Sequence, residues 1–387
     1  MRQKEYIGQD SVKNLRGILS RHKPKKIFLV SGKGSYIKSG AQAILGDILS
    51  RYDVFHFNDF GINPKAEEIV KGIKELDKSR CELIIAVGGG SVIDTAKSIN
   101  ILAANKESHT GNLAEDILGY ISGKKKITSK GKLLIAIPTT SGSGSEATKF
   151  AVIYIEKTKY SLEHEFMLPD HAIVDPQFTM SLPKAITAST GMDALCQAIE
   201  SYWSVSSTDE SRRYAKKAIK IALKNLEKAV NHPSEGSRDA MSKAAHLAGK
   251  AINISKTTAC HAISYPITSY FNVPHGHAVA LTLASMLIYN SQVAEDDLSD
   301  NRGVAYVRKV IDELAELIGT KNVEDAAKRM TELMEKIGLK TRLGELGIRN
   351  EDNIDIIIKN GFNPSRVKNN PRILTEESLR GILESLK

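Results

Sequence analysis

The sequence predicts two domains: an α/β domain built on a parallel, Rossmann-like sheet, followed by a domain made of helices. A length of 387 residues is enough for two to three domains at about 150 residues each. Short aliphatic runs alternate with helical segments in the first half, as in a parallel sheet with crossover helices. From about Leu182 onward, apolar residues recur at helical spacing almost without interruption.

The first half contains apolar runs that are short and lack polar alternation, which is typical of strands buried on both faces. Helical spacing between these runs predicts helices over 65–78 and 92–104, and a β-rich patch covers 150–155 and 172–174. The predicted strands are Lys26–Ser31, Asp53–Phe57, Leu83–Val87 and Leu133–Ile137.

The second half is predicted to be a helix bundle. A proline and small polar residues precede its first long helix, so we place the boundary near Ser181, giving domains 1–181 and 182–387. The predicted helices cover 186–203, 211–229, 238–252, 304–318 and 323–337.

The chain carries 54 Lys and Arg against 45 Asp and Glu, a formal charge of +9. Such an excess of positive charge can favour binding to nucleic acid, to an anionic membrane or to a small acidic ligand. The basic clusters carry no interleaved aromatic residues of the kind that stack on bases, so we expect them to lie in solvated loops. No stretch approaches the roughly 18 apolar residues needed to span a bilayer. Together with the motifs described below, which indicate a small anionic ligand, this leads us to expect neither nucleic acid nor membrane as a partner. Three cysteines without a CxxC pair, and an N-terminus without an apolar core, lead us to expect a reducing, cytoplasmic setting.

Two glycine- and hydroxyl-rich segments each follow a predicted strand. Gly88-Gly89-Gly90-Ser91 opens a helix whose N-terminus offers free N–H groups to phosphate oxygens. The second segment, 138–148, suits ribose and phosphate recognition. Two such loops at the carboxyl ends of neighbouring strands would flank a ligand-binding crevice. The alternative is a tight strand–helix turn that binds nothing.

Neither segment has the GxGxxG spacing of the usual dinucleotide fold, nor the spacing of a P-loop. A third segment after a strand, Gly32-Lys33-Gly34-Ser35, lies where many dinucleotide sites have an acidic residue for the adenosine ribose. It contains no carboxylate, so a 2′-phosphate would be tolerated there. The sequence therefore favours NADP over NAD, with Gly32, Gly34 and Ser35 at the ribose.

The second half contains a candidate metal site. Asp193 and Gln197 are four residues apart on a predicted helix and so share a face. His261 and, fourteen residues later, His275 come from separate elements. An aspartate with two histidines can hold a catalytic divalent metal if a coordination position stays open. An isolated aspartate or histidine in a helix more often has a structural role than a role as a metal ligand.

Four motifs, in order and over nearly the whole chain, resemble the iron-containing (group III) alcohol dehydrogenase family: GGGSVIDTAK, PTTSGSGSEAT, TGMDAL and PHG. The resemblance implies the dehydroquinate synthase-like fold, in which a nucleotide-binding α/β domain precedes an all-helical metal- and substrate-binding domain. It implies metal ligation by Asp193, His261 and His275, with Fe(II) or Zn(II) as the ion. It implies that the cofactor is held by Gly88, Gly89, Gly90, Ser91, Asp94, Thr139, Thr140 and Ser143.

The sequence departs from the family at two positions. Gln197 stands where the family usually places a histidine ligand, and a neutral amide is a weaker ligand than imidazole. Related enzymes of the wider superfamily manage with three ligands, so one aspartate and two histidines could suffice. Gln197 is then a candidate fourth ligand. Tyr265 stands where many members carry another histidine near the substrate. The proton needed by the reduced carbonyl is expected from water, Tyr265 or His277.

Within the family, DALCQAIESYWS, HAISYPIT and the C-terminal NPSR and NNPR segments are most similar to the branch that reduces phosphonoacetaldehyde to 2-hydroxyethylphosphonate. We therefore expect an NAD(P)H-linked aldehyde reductase, a homodimer, in which Arg366 or Arg372 binds an anionic substrate group. The alternatives are a family member acting on short-chain or semialdehyde substrates, a dehydroquinate synthase-like lyase, and a metal-poor protein with a binding role.

Overall fold

The computed structural model describes residues 3–106, 113–156, 158–362 and 367–387. The chain divides into two compact units, Met1–Leu182 and Pro183–Lys387. The first unit is an α/β layer structure and the second is helical, so the predicted fold class is confirmed. The binding roles given to the two domains stay predictions.

The first unit is built on a parallel sheet of six strands within its described part, in the order β1-β8-β5-β4-β2-β3. The central strand β4 is buried along its whole length, which explains its unbroken aliphatic sequence. The strands are β1 (Lys4–Ile7), β2 (Lys26–Ser31), β3 (Asp53–Phe57), β4 (Leu83–Gly88), β5 (Leu133–Pro138) and β8 (His171–Val174).

The strand order places a topological switch point between β2 and β4. The chain runs outward from β2 to β3, then returns past β2 to β4 and continues toward β5 on the other side. In open α/β sheets, ligands bind beyond the carboxyl ends of the strands at such a point. The loops after β2 and β4 are therefore the expected ligand-binding edge of this unit.

Two further strands, β6 (Phe150–Ile155) and β7 (Thr158–Glu163), form an antiparallel pair outside the main sheet. The sequence predicted β6 as a strand and missed β7, in which only Lys159 and Leu162 are buried. The helices of this unit are α1 (Asn14–His22), α2 (Ser35–Lys38), α3 (Ala41–Leu49), α4 (Ala66–Ser79), α5 (Gly90–Asn105) and α6 (Leu113–Ile121).

The second unit is organised around its first helix, α7 (Lys184–Trp203). From Thr187 to Trp203 every residue except Thr190 is buried, polar ones included, because α8, α9, α11 and α12 surround this helix. No described helix is both long and apolar enough to cross a membrane. The other helices are α8 (Asp209–Asn231), α9 (Glu235–Ser255), α10 (Ala259–Phe271), α11 (His275–Ser291), α12 (Val304–Ile318), α13 (Val323–Lys336), α14 (Glu351–Gly361) and α15 (Glu376–Ser385).

Candidate functional site

The two glycine- and hydroxyl-rich loops meet at the carboxyl ends of β4 and β5, which are neighbouring strands. The Thr139 N–H donates to the Gly88 carbonyl at 3.0 Å. A Cβ atom at Gly90 would lie 2.7 Å from the Ser143 hydroxyl, and one at Gly88 would lie 2.4 Å from Val92. Glycine at position 90 thus makes room for the Ser143 side chain of the second loop, and glycine at position 88 makes room for Val92 in the first turn of α5. The N-terminus of α5 is the part of this segment suited to an anionic ligand.

Asp94 has a structural role that the sequence did not indicate. Its carboxylate accepts hydrogen bonds from the Ser145 hydroxyl and, at 3.0 Å, from the Val152 N–H. Burial raises the pKa of Asp94, against the opposing effects of Lys97 and these hydrogen bonds. Asp94 thus holds the second loop and β6 against α5. Its direct contact with the cofactor stays a prediction.

Lys97 completes this buried network. Its ammonium group donates to the Thr148 hydroxyl and the Phe150 carbonyl, both at 2.9 Å, and lies 3.9 Å from the Asp94 carboxylate. Burial lowers the pKa of Lys97 to about 8, although Asp94 opposes that shift. The last residue of the GGGSVIDTAK motif is therefore a structural support for the two glycine- and hydroxyl-rich loops.

The loop after β2 lies beside the start of α5, since a Cβ atom at Gly32 would be 3.5 Å from Val92. This loop has a carboxylate neighbour that the sequence did not indicate. Asp59 bridges Lys33, at 3.1 Å, and Lys71. Hydrogen bonds from Lys71 and Lys33 lower the pKa of Asp59. The argument for NADP from a missing carboxylate is therefore incomplete.

The second unit brings three predicted metal ligands together. Asp193 of α7, His261 of α10 and His275 of α11, here called the acid–histidine cluster, each offer a ligand atom within 4.8 Å of the others. Gly276 allows this approach: a Cβ atom there would lie 2.0 Å from the Ser189 carbonyl oxygen and 2.7 Å from the Asp193 Cβ. The start of α11 therefore rests directly on the backbone of α7.

Gln197 lies one helical turn beyond Asp193, and its side chain is buried. Within the described part of the chain, its Oε1 atom and the Nε2 atom of His261 have no hydrogen-bond partner. A buried acceptor left unpaired costs about 1–3 kcal/mol, so such atoms usually have a ligand. Carboxylate and amide oxygens with two imidazole nitrogens suit a divalent cation. The residues present therefore fit the metal that the sequence predicted.

Hydrogen bonds to the second nitrogen orient both imidazoles. His261 Nδ1 contacts the carboxylate of Glu200, and His275 Nδ1 lies 3.3 Å from the Ser264 hydroxyl. That hydroxyl donates to the His261 carbonyl at 2.7 Å, so it accepts from His275 and leaves Nε2 as the ligand atom. Burial disfavours a charged His261, but Glu200 and Asp193 outweigh this effect and raise the pKa of His261 to about 9. The site thus favours positive charge.

The two candidate proton donors have different surroundings. The Tyr265 ring stacks against His275, with 6.1 Å between ring centroids, which places it beside the acid–histidine cluster. His277 is buried, and its Nε2 atom lies 2.7 Å from the Lys340 carbonyl, to which it donates. Burial lowers the pKa of His277 despite that hydrogen bond. In this arrangement the Nε2 proton of His277 is donated to the backbone. The role of His277 as a proton donor to the substrate stays a prediction.

The Arg372 side chain makes an ion pair, a hydrogen bond and a ring contact within the second unit. Its guanidinium pairs with Asp297 at 2.6 Å, donates to the Tyr289 carbonyl at 2.9 Å and covers the Tyr289 ring. These contacts fasten the C-terminal segment to α11. Substrate binding by Arg372 stays a prediction. Arg366, the other candidate, lies outside the described residues. The helix before it, α14, ends with Gly361 against Pro266 of α10.

An α/β unit on a parallel sheet, followed by a helical unit with a candidate metal site, has the architecture expected of a dehydrogenase of this type. The sequence model named iron-containing alcohol dehydrogenase matches residues 3–176, and the one for the C-terminal part of the Fe-containing alcohol dehydrogenase family matches residues 187–386. The chain therefore belongs to the iron-containing alcohol dehydrogenase family and is an NAD(P)-dependent oxidoreductase of alcohols and aldehydes. The lyase alternative is no longer favoured.

Several characterised proteins are similar to the chain. A phosphonoacetaldehyde reductase of Streptomyces viridochromogenes is 34% identical over 80% of this chain and 77% of the relative. An NADPH-dependent butanol dehydrogenase of Clostridium saccharobutylicum is 30% identical over 98% and 95%. The crystal structure of sulfoacetaldehyde reductase from Bifidobacterium kashiwanohense in complex with NAD⁺ is 31% identical, with a TM-score of 0.86 over 99% of this chain and 96% of that one.

Proposed function

We propose that this protein reduces a two-carbon aldehyde carrying a tetrahedral anionic group, with phosphonoacetaldehyde, giving 2-hydroxyethylphosphonate, as the leading substrate. The observation that carries the proposal is the acid–histidine cluster together with the buried, unpaired oxygen of Gln197. The choice of substrate is supported by two relatives, found by sequence and by structure, whose names specify phosphonoacetaldehyde and sulfoacetaldehyde.

Asp193, His261 and His275 would hold the metal, with Gln197 as fourth ligand. An Fe(II) or Zn(II) ion bound there supplies a Lewis acid for the aldehyde oxygen. Asp193 is the sole anionic ligand of this set, so the bound ion keeps net positive charge. The carbonyl oxygen needs a proton as the carbon is reduced, and the Tyr265 hydroxyl, on a ring stacked against His275, is the proposed donor.

The cofactor would lie along the carboxyl ends of β2, β4 and β5. The N-terminus of α5 at Gly89 and Gly90 suits the diphosphate. The reduced nicotinamide of the cofactor supplies the hydride. The remaining contacts proposed are from Gly32, Gly34, Ser35, Gly88, Ser91, Thr139, Thr140 and Ser143. NADPH stays the proposed form, because Lys33 and Lys71 outnumber Asp59 at the loop after β2.

Initial rates of NADPH and NADH oxidation test the proposal. The substrates are phosphonoacetaldehyde, sulfoacetaldehyde, succinic semialdehyde and butanal. We expect kcat/KM for phosphonoacetaldehyde to exceed that for butanal by about 100-fold or more, because a site built for a polar group discriminates strongly against analogues lacking it. Equal values for the anionic and neutral aldehydes would refute the substrate assignment and leave the family unchanged.

Two variants test the residue roles within the same assay. Arg366→Ala is expected to raise KM for phosphonoacetaldehyde and leave KM for butanal unchanged. Tyr265→Phe is expected to lower kcat by about 100-fold for every aldehyde, the usual contribution of a general acid. An unchanged kcat in Tyr265→Phe would assign proton donation to water.

A further inference from the structure

We propose that Glu200 is the positioning residue of the metal site, holding His261 in the one tautomer that presents a free nitrogen lone pair to the cation. This inference rests on the proposed metal function. Glu200 was part of the helix motif in the sequence, but nothing in its spacing indicated its partner, because His261 is 61 residues away.

Glu200 is placed by α7 and is fully buried. It lies seven residues after Asp193, two helical turns along the same face. Its Oε2 atom contacts His261 Nδ1, and its Oε1 atom accepts from the Thr258 N–H at 3.1 Å and the Thr258 hydroxyl at 2.8 Å. A buried carboxylate with this many donors is strongly fixed in position.

The direction of each hydrogen bond in this network follows from its donors. The Trp203 indole can only donate, and it donates to the Thr258 hydroxyl at 2.8 Å. Thr258 must then give its own proton to Glu200. Since the carboxylate only accepts, His261 Nδ1 carries a proton and donates it. The chain of donors from Trp203 to Glu200 thus leaves His261 Nε2, 3.3 Å from Asp193 Oδ1, for the metal.

A purely structural role is the competing explanation. Glu200 also accepts from the His261 N–H at 3.3 Å, and Thr258, the residue before α10, makes no side-chain cap of its own. Glu200 therefore stabilises the N-terminus of α10 in any case. The two roles predict different effects of a substitution on metal affinity. Capping of α10 requires only a hydrogen-bond acceptor for the backbone N–H groups, whereas the tautomer of His261 with its proton on Nδ1 requires an acceptor beside Nδ1.

Glu200→Gln separates these roles. The amide oxygen can replace Oε1 as acceptor for Thr258, and the amide NH₂ then faces His261 Nδ1. Two donors cannot share a hydrogen bond, so Nδ1 becomes the acceptor and the ring proton moves to Nε2, where it competes with the metal. Thr258→Val is the matched control: it removes a hydrogen bond from the same carboxylate and the same helix terminus but leaves the carboxylate on Nδ1.

The experiment measures Co(II) binding to wild type, Glu200→Gln and Thr258→Val by competition with a chromophoric chelator, and records the visible spectrum of each Co(II) protein. We expect Glu200→Gln to bind Co(II) about 10–100-fold more weakly, with an altered d–d spectrum, as is typical when an orienting partner is lost. Thr258→Val should bind within about threefold of wild type and keep the wild-type spectrum.

Equal Co(II) affinity and equal spectra in wild type and Glu200→Gln would overturn the inference. Equal losses in both variants would also overturn it, since they would assign Glu200 to helix capping alone. A wild-type protein that binds no Co(II) would instead refute the proposed metal function, so the two failures are distinguishable. Thermal unfolding of the metal-free variants shows that each protein compared is folded.

Discussion

Gln197 gives a prediction in which stability and metal binding change in opposite directions. Replacing it by leucine, a side chain of similar size without polar atoms, removes a buried amide oxygen that has no partner among the described residues. An unpaired buried acceptor costs about 1–3 kcal/mol, so the metal-free Gln197→Leu protein should be more stable than metal-free wild type by up to that amount.

The same substitution should weaken the metal site. If the oxygen is a ligand, its loss forfeits an interaction of comparable size, and about 1–3 kcal/mol corresponds to about 5- to 150-fold in affinity. Chemical denaturation of the metal-free proteins gives the first quantity, and Zn(II) competition titration gives the second. Gln197→His is the matched comparison, since it restores an imidazole and should bind Zn(II) more tightly than wild type.

A metal-free Gln197→Leu protein that is less stable than wild type and binds Zn(II) equally well would refute this reasoning. That result would mean that the amide has a protein partner and does not face the cation. Increased stability with unchanged Zn(II) binding would leave Asp193, His261 and His275 as the complete ligand set.

Three other substitutions test assignments made above. The folded-state pKa of Lys97 is about 8 against an ordinary value of 10.5, so between these values the unfolded chain holds a proton that the folded protein has released. Wild type should therefore gain stability relative to Lys97→Met as pH rises through this interval, as measured by denaturant unfolding. Asp59→Asn should strengthen NADPH binding a few-fold relative to NADH in fluorescence titrations, because Lys33 and Lys71 lose their counter-ion. An unchanged ratio of the two affinities would show that these lysines do not contact the cofactor. Arg372→Met should lower the thermal unfolding temperature and leave KM for phosphonoacetaldehyde unchanged, whereas a raised KM would return Arg372 to the substrate site.

The sequence predicted those parts of the fold that have a local signal. Strands β2, β4 and β5 were recognisable because burial on both faces requires unbroken aliphatic runs. Strand β3 was also predicted, although it lies at the sheet edge and only Phe57 of its residues is buried. Strand β1 was missed because Lys4–Ile7 lies at the sheet edge, is largely exposed and carries two charged residues. The glycines of the Gly88–Ser91 segment predicted the loop after β4, since a glycine at position 90 makes room for the close approach of Ser143.

Long-range pairing explains what the sequence did not predict. Asp59 is 26 residues from Lys33, and Asp297 is 75 residues from Arg372. No sequence periodicity indicates partners at such distances along the chain. The carboxylates that pair with Lys33 and with Arg372 were therefore not predictable from the sequence. The candidate ligands that match a family motif were predicted from the sequence, whereas Glu200, the residue proposed to orient one of them, was recognised only from its contacts with His261 and Thr258.

The most direct test of the central claim is metal dependence measured on the enzyme itself. Protein stripped with a chelator should have lost its NADPH-linked reduction of phosphonoacetaldehyde, and Fe(II) or Zn(II) should restore the rate with an endpoint at one ion per chain. Asp193→Ala, which lacks the anionic ligand, should show no restoration. A stripped protein that reduces the aldehyde as fast as the untreated enzyme would contradict the assignment of the acid–histidine cluster as the catalytic metal site.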